Sequence, residues 1–207
     1  MGVISNGTTL LDAGAIDSGV PTGAMTLIKT LTASNSATLD FLNGTSSVVF
    51  DDTYDVYVFK FINIHPITNT ALLTFQADTG TNTNYNIAMT TTSLRANQNE
   101  GDGGAAFSYR TGSDQAQGTA FEKLSQASSN DNDSGVSGEL TMFSPSSGTF
   151  IKHFISTSNT AQATPESQAT YSAGYFNTTT ALTRVQFKMS SCNIDSGIIK
   201  LYGIKDS

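Results

Sequence analysis

Three observations predict an all-β fold, a two-sheet antiparallel sandwich that is jelly-roll-like. Charged residues make up 13% of the chain, about half of the ~25% that is usual for a soluble domain. Threonine, serine and asparagine together supply roughly a third of the residues, and these residue types suit pleated strands and the turns between them. Hydrophobic residues, at 38%, are numerous enough for a folded core. Because strand order cannot be derived from the sequence, an immunoglobulin-like sandwich remains the alternative.

Runs of alternating or β-branched residues follow one another at short intervals after residue 23, without a convincing helical pattern. We predict strands at 24–31, 38–42, 54–64, 71–77, 85–89, 139–143, 150–156, 170–176, 184–189 and 198–205. The Asn43-Gly44 pair is a strong signal for a tight hairpin turn. Pro66 ends the third strand, because proline has no N–H to donate to a neighbouring strand.

The longest predicted strand is apolar on both of its faces. Val58 and Ile62 share one face, whereas Tyr57, Phe59 and Phe61 share the other. A strand of this kind is typical of a central position in a sheet that is covered on both sides.

The chain divides into an N-terminal arm, residues 1–23, and one β-sandwich domain, residues 24–207. The arm alternates glycines with short apolar pairs that suit strand addition to a neighbouring subunit. The candidate partner-binding residues are therefore Val3, Ile4, Leu10, Leu11 and Ile16. An ordinary first strand of the sandwich is the alternative reading of this segment.

Two polar loops are predicted at 97–104 and 125–135, where asparagine, aspartate, serine and glycine dominate. They flank two short apolar pieces, 105–109 and 121–124. Long loops inside a compact β-domain are uncommon and are often functional. The region 97–135 is therefore the predicted ligand-binding region.

Residues for enzyme chemistry are scarce, and we predict a protein that is not an enzyme and uses no cofactor. The only histidines are His65, before a proline, and His153, in a predicted strand, and no Gly-x-Ser-x-Gly pentapeptide is present. Cys192 has no second cysteine with which to bind zinc or form an intrachain disulfide. We therefore interpret these three residues as structural.

Carboxylates and a calcium-like loop are the remaining chemical candidates. A glycoside-cleaving pair is spatial and cannot be derived from the sequence; the candidates without supporting context are Asp51, Asp52, Asp55 and Glu122. Residues 130–135 match the opening of a calcium loop, but Thr141 occupies the position where a bidentate glutamate is needed. We interpret that stretch as a solvated loop and predict no metal site.

Net charge and hydropathy limit the partners and the location. The net charge is −7 and the ten basic residues are scattered, which argues against binding to nucleic acid or to an anionic membrane. No apolar stretch approaches the ~18 residues of a membrane span. The first residues lack the basic and apolar regions of a signal peptide, so we expect assembly in the cytoplasm of a host cell.

The C-terminal third carries a family resemblance. The ending Ser196-Gly-Ile-Ile-Lys-Leu-Tyr-Gly-Ile204 resembles the final strand of virion structural proteins from tailed phages of marine bacteria. Three earlier stretches, 137–141, 149–156 and 173–176, are similar to the same proteins. That family includes both decoration proteins and fibres.

The resemblance implies a virion surface protein of the capsid decoration or cement type. It suggests a homo-oligomer, a trimer, in contact with other phage capsid or tail proteins. The low charge suits wide subunit packing, because the cores of interfaces are depleted in charged residues. The aromatic residues that suit either subunit contacts or the sandwich core are Tyr109, Tyr171, Tyr175 and Phe176. The alternatives are a tail fibre head that recognises host-surface glycans through residues 97–135, and a glycan-cleaving depolymerase.

Overall fold

The protein is all-β in this computed structural model, which describes residues 3–5, 8–12, 15–16 and 25–205. Within those residues there are sixteen strands and no helix. The strands are β1 (Val3–Ser5), β2 (Thr8–Asp12), β3 (Ala15–Ile16), β4 (Met25–Ser36), β5 (Leu39–Leu42), β6 (Val56–Pro66), β7 (Leu73–Thr79), β8 (Met89–Asn99), β9 (Ala105–Tyr109), β10 (Ala116–Gly118), β11 (Glu122–Lys123), β12 (Val136–Phe143), β13 (Lys152–Ala161), β14 (Glu166–Phe176), β15 (Leu182–Met189) and β16 (Ile194–Ile204). The predicted two-sheet antiparallel sandwich is confirmed.

The strand order is that of a jelly roll with one widened sheet. The large sheet has the order β10-β8-β14-β13-β12-β6-β16-β4, with β9 also paired to β8, and the small sheet has the order β11-β7-β15-β5. Eight of these strands follow the jelly-roll order of two Greek keys, with β4-β16-β6-β12 in the large sheet and β5-β15-β7-β11 in the small sheet. The other five extend the large sheet beyond β12. A third sheet, β1-β2-β3, pairs with no other described strand.

Phenylalanine side chains fill the space between the small sheet and the four strands opposite it. Phe187 on β15 is fully buried, and its ring centroid lies 5.2 Å from that of Phe59 and 5.4 Å from that of Phe61, across the sandwich. Within the small sheet its centroid lies 6.1 Å from those of Phe41 and Phe75. Aromatic pairs at these separations attract one another beyond their burial. Phe187 therefore links both sheets at the centre of the core.

A polar segment, residues 113–129, covers the inner face of the large sheet beyond β12. This segment and the polar side chains beneath it are called the polar layer. The inward side chains of β13 and β14 include Ser156, Ser158, Thr160, Gln168, Thr170 and Ser172. Residues 113–129 cover them and contain only two short strands, which leaves backbone carbonyls without ladder partners. Ser158 Oγ donates to the carbonyl of Leu124 (2.6 Å), and Ser172 Oγ donates to that of Lys123 (3.2 Å). Small hydroxyl side chains thus supply hydrogen bonds that an irregular covering segment needs.

Strand β8 is the main element that the sequence does not predict. Its residues are mostly polar on both faces, so its pattern resembles that of a loop. It nevertheless pairs with β14 along its whole length. Its inward residues Thr91 and Ser93 are buried, although they are as polar as the outward ones, because the segment that covers them is itself polar.

The strand predicted at 85–89 is wrong for residues 85–88, which join no ladder. Tyr85 has a positive φ of 49°. Its backbone N–H donates to the carboxylate of Asp78 (2.8 Å), and its hydroxyl donates to the carboxylate of Asp40 (3.1 Å). The two hydrogen bonds of Tyr85 therefore go to side-chain carboxylates and not to the backbone of a neighbouring strand.

Candidate functional site

The side of the large sheet that faces away from the small sheet, the outer face, is rich in exposed apolar side chains. Strand register places one row across it: Leu27, Tyr202, Val58, Thr141, Ile155, Ala173 and Thr92. The next row contains Lys200, Lys60, Glu139, Thr157, Tyr171, Leu94 and Tyr109. Ile155 is 53% exposed, Tyr109 47% and Tyr171 44%. A solvated sheet face normally carries polar side chains, so these exposed apolar and aromatic residues make the outer face a candidate contact surface.

Few charges interrupt the two rows of the outer face. Lys60 and Glu139 lie opposite each other on β6 and β12 and form an ion pair. Lys200, directly beside Lys60 on β16, is the one further charged residue in these rows. The rows are therefore close to neutral, although the whole chain carries a net charge of −7.

A shallow groove of about 500 Å³ runs along β13, β14 and β8 on the outer face. Its apolar wall includes Phe143, Ile155 and Ala173. The rings of His153 and Tyr175 lie beside each other, with centroids 5.9 Å apart. The groove is mostly apolar and accommodates a side chain better than a charged ligand.

A second depression, the polar cleft, lies where β6 and β13 end and where β12 and β16 begin. It has a volume of about 710 Å³ and is lined by Asn63, His65, Asn132, Asp133, Ser134, Gly135, Ser137, Asn159, Ala161, Asp195 and Ser196. The loop 132–135, part of the predicted ligand-binding region, forms one of its walls. The rest of that region lies elsewhere: residues 105–109 form β9, and 121–129 belong to the polar layer.

His65 is held between two partners beside the polar cleft. Its Nδ1 lies 3.4 Å from the carboxylate of Asp195, and its Nε2 lies 3.1 Å from the backbone carbonyl of Asp131. The imidazole side chain is only 12% exposed, whereas the Asp195 side chain is 51% exposed. The imidazole of His65 thus lies beside Asp195, one of the two carboxylates that line the cleft.

The candidate arm residues lie in the third sheet. Val3 and Ile4 on β1 are 54% and 64% exposed. Backbone register pairs Val3 with Leu11 of β2, and Leu11 with Ile16 of β3. Leu10 also lies on β2, and the side chains of the β2 and β3 residues lie outside the part that the structure describes. The binding of a partner by these residues remains a prediction.

The four aromatic candidates separate into two environments. Tyr109, Tyr171 and Tyr175 lie on the outer face. Phe176 is fully buried, and its ring centroid lies 5.8 Å from that of Phe75. Three of the four are therefore placed where a partner can contact them.

The candidate carboxylates have local structural contacts. Asp51 accepts a hydrogen bond from the backbone of Thr53 (2.9 Å), which lowers its pKa, and Asp52 accepts one from Ser146 Oγ (3.0 Å). Glu122 is buried in the polar layer, on β11. Asp55 lies just before β6. Asp51, Asp52 and Asp55 thus precede β6 of the large sheet, whereas Glu122 belongs to the small sheet.

The cysteine and the calcium-like loop are also accounted for. The thiol of Cys192 donates to the neighbouring carbonyl of Asn193 (3.3 Å) and packs against the core. In the loop 130–135, Asp131 accepts a hydrogen bond from Ser129 Oγ (2.8 Å). In the part of the chain that the structure describes, no group of three or more His, Cys, Asp or Glu side chains is placed to hold a metal ion. The same part contains no helix that is long and apolar enough to cross a membrane.

A buried lysine lies apart from both surfaces. Lys152 is fully buried, and its Nζ donates to the carbonyls of Ser147 (2.6 Å), Phe150 (2.6 Å) and Thr179 (3.2 Å). Burial lowers its pKa. All three N–H groups of its ammonium are thus used to tie two loops together, which is a structural role.

Sequence reasoning missed the polar cleft, because its residues come from four separate parts of the chain. No spacing pattern connects Asn63, the loop 132–135, Asn159 and Asp195. The comparisons with family models, with curated proteins and with solved structures give no match. The outer face and the polar cleft are therefore the two candidate functional surfaces of the protein.

Proposed function

We propose that this protein is a non-enzymatic structural protein of a phage virion surface, of the capsid decoration type, that assembles through its outer face. The observation that carries the assembly is the set of exposed apolar and aromatic side chains across the large sheet, including Leu27, Ile155 and Tyr171. The virion location rests on the resemblance of the C-terminal third to phage structural proteins.

The size of the outer face suits a stable subunit contact. Eight strands at about 4.8 Å spacing span roughly 34 Å, and about eight residues along each strand span roughly 25 Å. The product, roughly 850 Å², is close to the ~800 Å² that each partner contributes to a standard interface. A second copy of the chain is the proposed occupant, because the two rows are near neutral and self-association brings no strong like-charge repulsion.

The two-sided apolar pattern of β6 supports the same proposal. Its inward residues Phe59 and Phe61 are buried in the core, whereas Ile62, on the outer face, is 38% exposed in a single copy. A neighbouring copy supplies the second cover that the sequence pattern predicts. In a trimer with closed cyclic symmetry each outer face is covered by its neighbours, without growth into an open filament.

Replacement of Ile155 by arginine is expected to convert the trimer into monomers. The guanidinium would have to be buried without a partner at the centre of the outer face, which costs several kcal/mol. Light scattering at micromolar concentration should give about 65 kDa for the natural chain, three times 21.8 kDa, and 21.8 kDa for the variant.

Ile67→Arg is the matched control, because Ile67 is 39% exposed and lies in the turn after β6, outside the outer face. It should leave the mass at the trimer value. A natural chain that scatters as a monomer, or equal masses for the two arginine variants, contradicts assembly through the outer face.

Deletion of residues 2–20 is expected to leave the sandwich folded but to abolish binding to the particle. The reason is that sheet β1-β2-β3 pairs with none of the described strands of the sandwich, so its removal breaks no ladder there. Thermal unfolding and co-sedimentation with particles measure the two effects. If the truncated chain unfolds instead, these residues belong to the sandwich and are not an arm.

Direct location of the chain on intact particles by cryo-electron microscopy tests the virion role. Regular density across the capsid lattice supports decoration and reveals what the arm contacts. Density on the tail or its fibres alone supports host recognition. Absence from every particle overturns the virion role.

The second candidate function is recognition of host-surface glycans, as by a tail fibre head. The observation that favours it is the polar cleft, which is lined by amide, hydroxyl and carboxylate groups and includes the loop 132–135. Binding to host cells that is lost when this loop is altered, with assembly intact, would favour this second function over decoration.

A further inference from the structure

The polar cleft is shaped by irregular backbone on its strands. Register shifts interrupt the pairing of β12 with β6 and of β16 with β6 at this end of the large sheet. Asn63 has a φ of 49° and Gly197 a φ of 121°, and a Cβ at Gly197 would lie only 2.6 Å from the carbonyl oxygen of Asn63. Such bulges re-aim side chains and are frequent beside binding sites.

Hydrogen bonds hold three of the lining side chains in place before any ligand arrives. Ser137 Oγ accepts from the backbone N–H of Asn63 (3.0 Å) and donates to its side-chain carbonyl (3.2 Å). Asn159 Nδ2 donates to Ser167 Oγ (2.9 Å), which fixes the orientation of its amide. Pre-oriented polar groups lose little conformational entropy on binding.

The lining groups both donate and accept hydrogen bonds. Asn63, Asn132 and Asn159 each carry an amide with two donors and one acceptor oxygen, and Ser134 and Ser196 carry hydroxyls. A sugar hydroxyl needs a donor and an acceptor together, whereas a metal ion needs acceptors alone. The mixture therefore matches a ligand with many hydroxyl groups.

The negative charge of the cleft favours uncharged ligands of this kind over anionic ones. Asp133 and Asp195 are lining residues, and no lysine or arginine is found among the residues that line the cleft. A sialic acid, a uronic acid or a phosphate would place like charge against these carboxylates, which costs affinity. A neutral sugar meets no such penalty.

We propose that the polar cleft binds a neutral saccharide, held by the amides of Asn132 and Asn159 and by the carboxylates of Asp133 and Asp195. This inference rests on the second candidate function, glycan recognition, and is independent of assembly through the outer face. With a volume of about 710 Å³ the cleft has room for a short oligosaccharide.

The test is an NMR titration of the isotope-labelled full-length chain with malto-, cello- and chito-oligosaccharides, and with an oligogalacturonate as the anionic comparison. At least one neutral probe should shift the amide signals of residues 63–65, 132–137 and 195–196 with millimolar or tighter Kd. The oligogalacturonate should bind at least tenfold more weakly. The same titration is run on the Ile155→Arg variant, in which the outer face is altered and the cleft is not. Sugar binding by this variant shows that the cleft acts without assembly, so failure of one proposal can be distinguished from failure of the other.

Asn132→Ala and Asp133→Ala are expected to weaken the neutral probe about tenfold each, the effect of losing roughly 1.4 kcal/mol of hydrogen bonding. Both side chains are exposed, so the fold tolerates the changes. Asn84→Ala, an exposed asparagine in the loop between β7 and β8, is the matched control and should leave binding unchanged.

Three results would overturn the proposal. One is the absence of shifts with every neutral probe at about 10 mM, tenfold above a Kd of 1 mM. The second is preferential binding of the oligogalacturonate. The third is binding of neutral sugars that is equal in Asn132→Ala, Asp133→Ala and the natural chain, which would place the sugar elsewhere on the molecule.

Discussion

Replacement of Phe187 by alanine is expected to lower the free energy of unfolding by about 3–5 kcal/mol, the usual cost of truncating a buried phenylalanine. The ring contacts four other phenylalanines and lies between the two sheets. The cavity left behind cannot close easily, because both sheets are held by their own ladders. Since a domain has only about 5–15 kcal/mol of stability, a denaturant titration should show a large fall in the midpoint.

Phe150→Ala is the control for this effect. Phe150 is also a phenylalanine, but it is 69% exposed and precedes β13, so its loss should change stability by no more than about 0.5 kcal/mol. A cost below about 1 kcal/mol for Phe187→Ala would show that the two sheets do not pack on this ring as described.

The parts of the fold that follow from sequence are those with an apolar inner face. β6 was predictable because aromatic side chains alternate along it, with Tyr57, Phe59 and Phe61 on its inner face. Gly203 lies where the chain passes close to Tyr54, since a Cβ at this position would lie 2.4 Å from the ring. Local pattern and tertiary packing agree at all of these places.

The parts that do not follow from sequence depend on polar burial and on distant residues. β8 escaped prediction because a polar segment, and not the aromatic core, covers its inner face. The polar cleft escaped because it joins residues as far apart in sequence as Asn63 and Asp195. The outer face was only half predictable: the apolar pattern on both sides of β6 indicated a second cover, but not how far across the sheet it extends.

Glu122 is a buried carboxyl group whose pKa is raised by its surroundings. It is fully buried in the polar layer, and its Oε2 accepts hydrogen bonds from Thr91 Oγ1 (3.0 Å) and Gln115 Nε2 (3.1 Å). Its Oε1 has no hydrogen-bond partner among the described residues. Burial raises the pKa of Glu122 from 4.5 to about 7, against the opposing effect of those two hydrogen bonds.

This raised pKa makes the stability of the fold depend on pH. The folded protein binds the proton more tightly than the unfolded chain, in which the carboxyl titrates near 4.5. The stabilisation is therefore fully present below about pH 4.5 and is lost as the pH rises through about 7. This difference between the two pKa values corresponds to about 3 kcal/mol.

Glu122→Gln is accordingly expected to stabilise the protein at pH 8 by up to about 3 kcal/mol, and by little at pH 4.5. The amide keeps an acceptor for Thr91 and Gln115 and cannot ionise, so it corresponds to the protonated acid at every pH. For a chain of this length the gain raises the Tm by about 6–12 °C. Thermal unfolding of both proteins across pH 4–8 measures the difference between the two curves.

Glu100→Gln is the matched control, because Glu100 is exposed at the end of β8, and its curve should run parallel to that of the natural chain. The difference between natural chain and Glu122→Gln isolates one group, since all other carboxyls titrate equally in both. If those two curves are also parallel, the buried carboxylate is ionised without penalty. In that case the polar layer is more hydrated than its packing indicates, and water reaches Oε1 of Glu122 in the folded state.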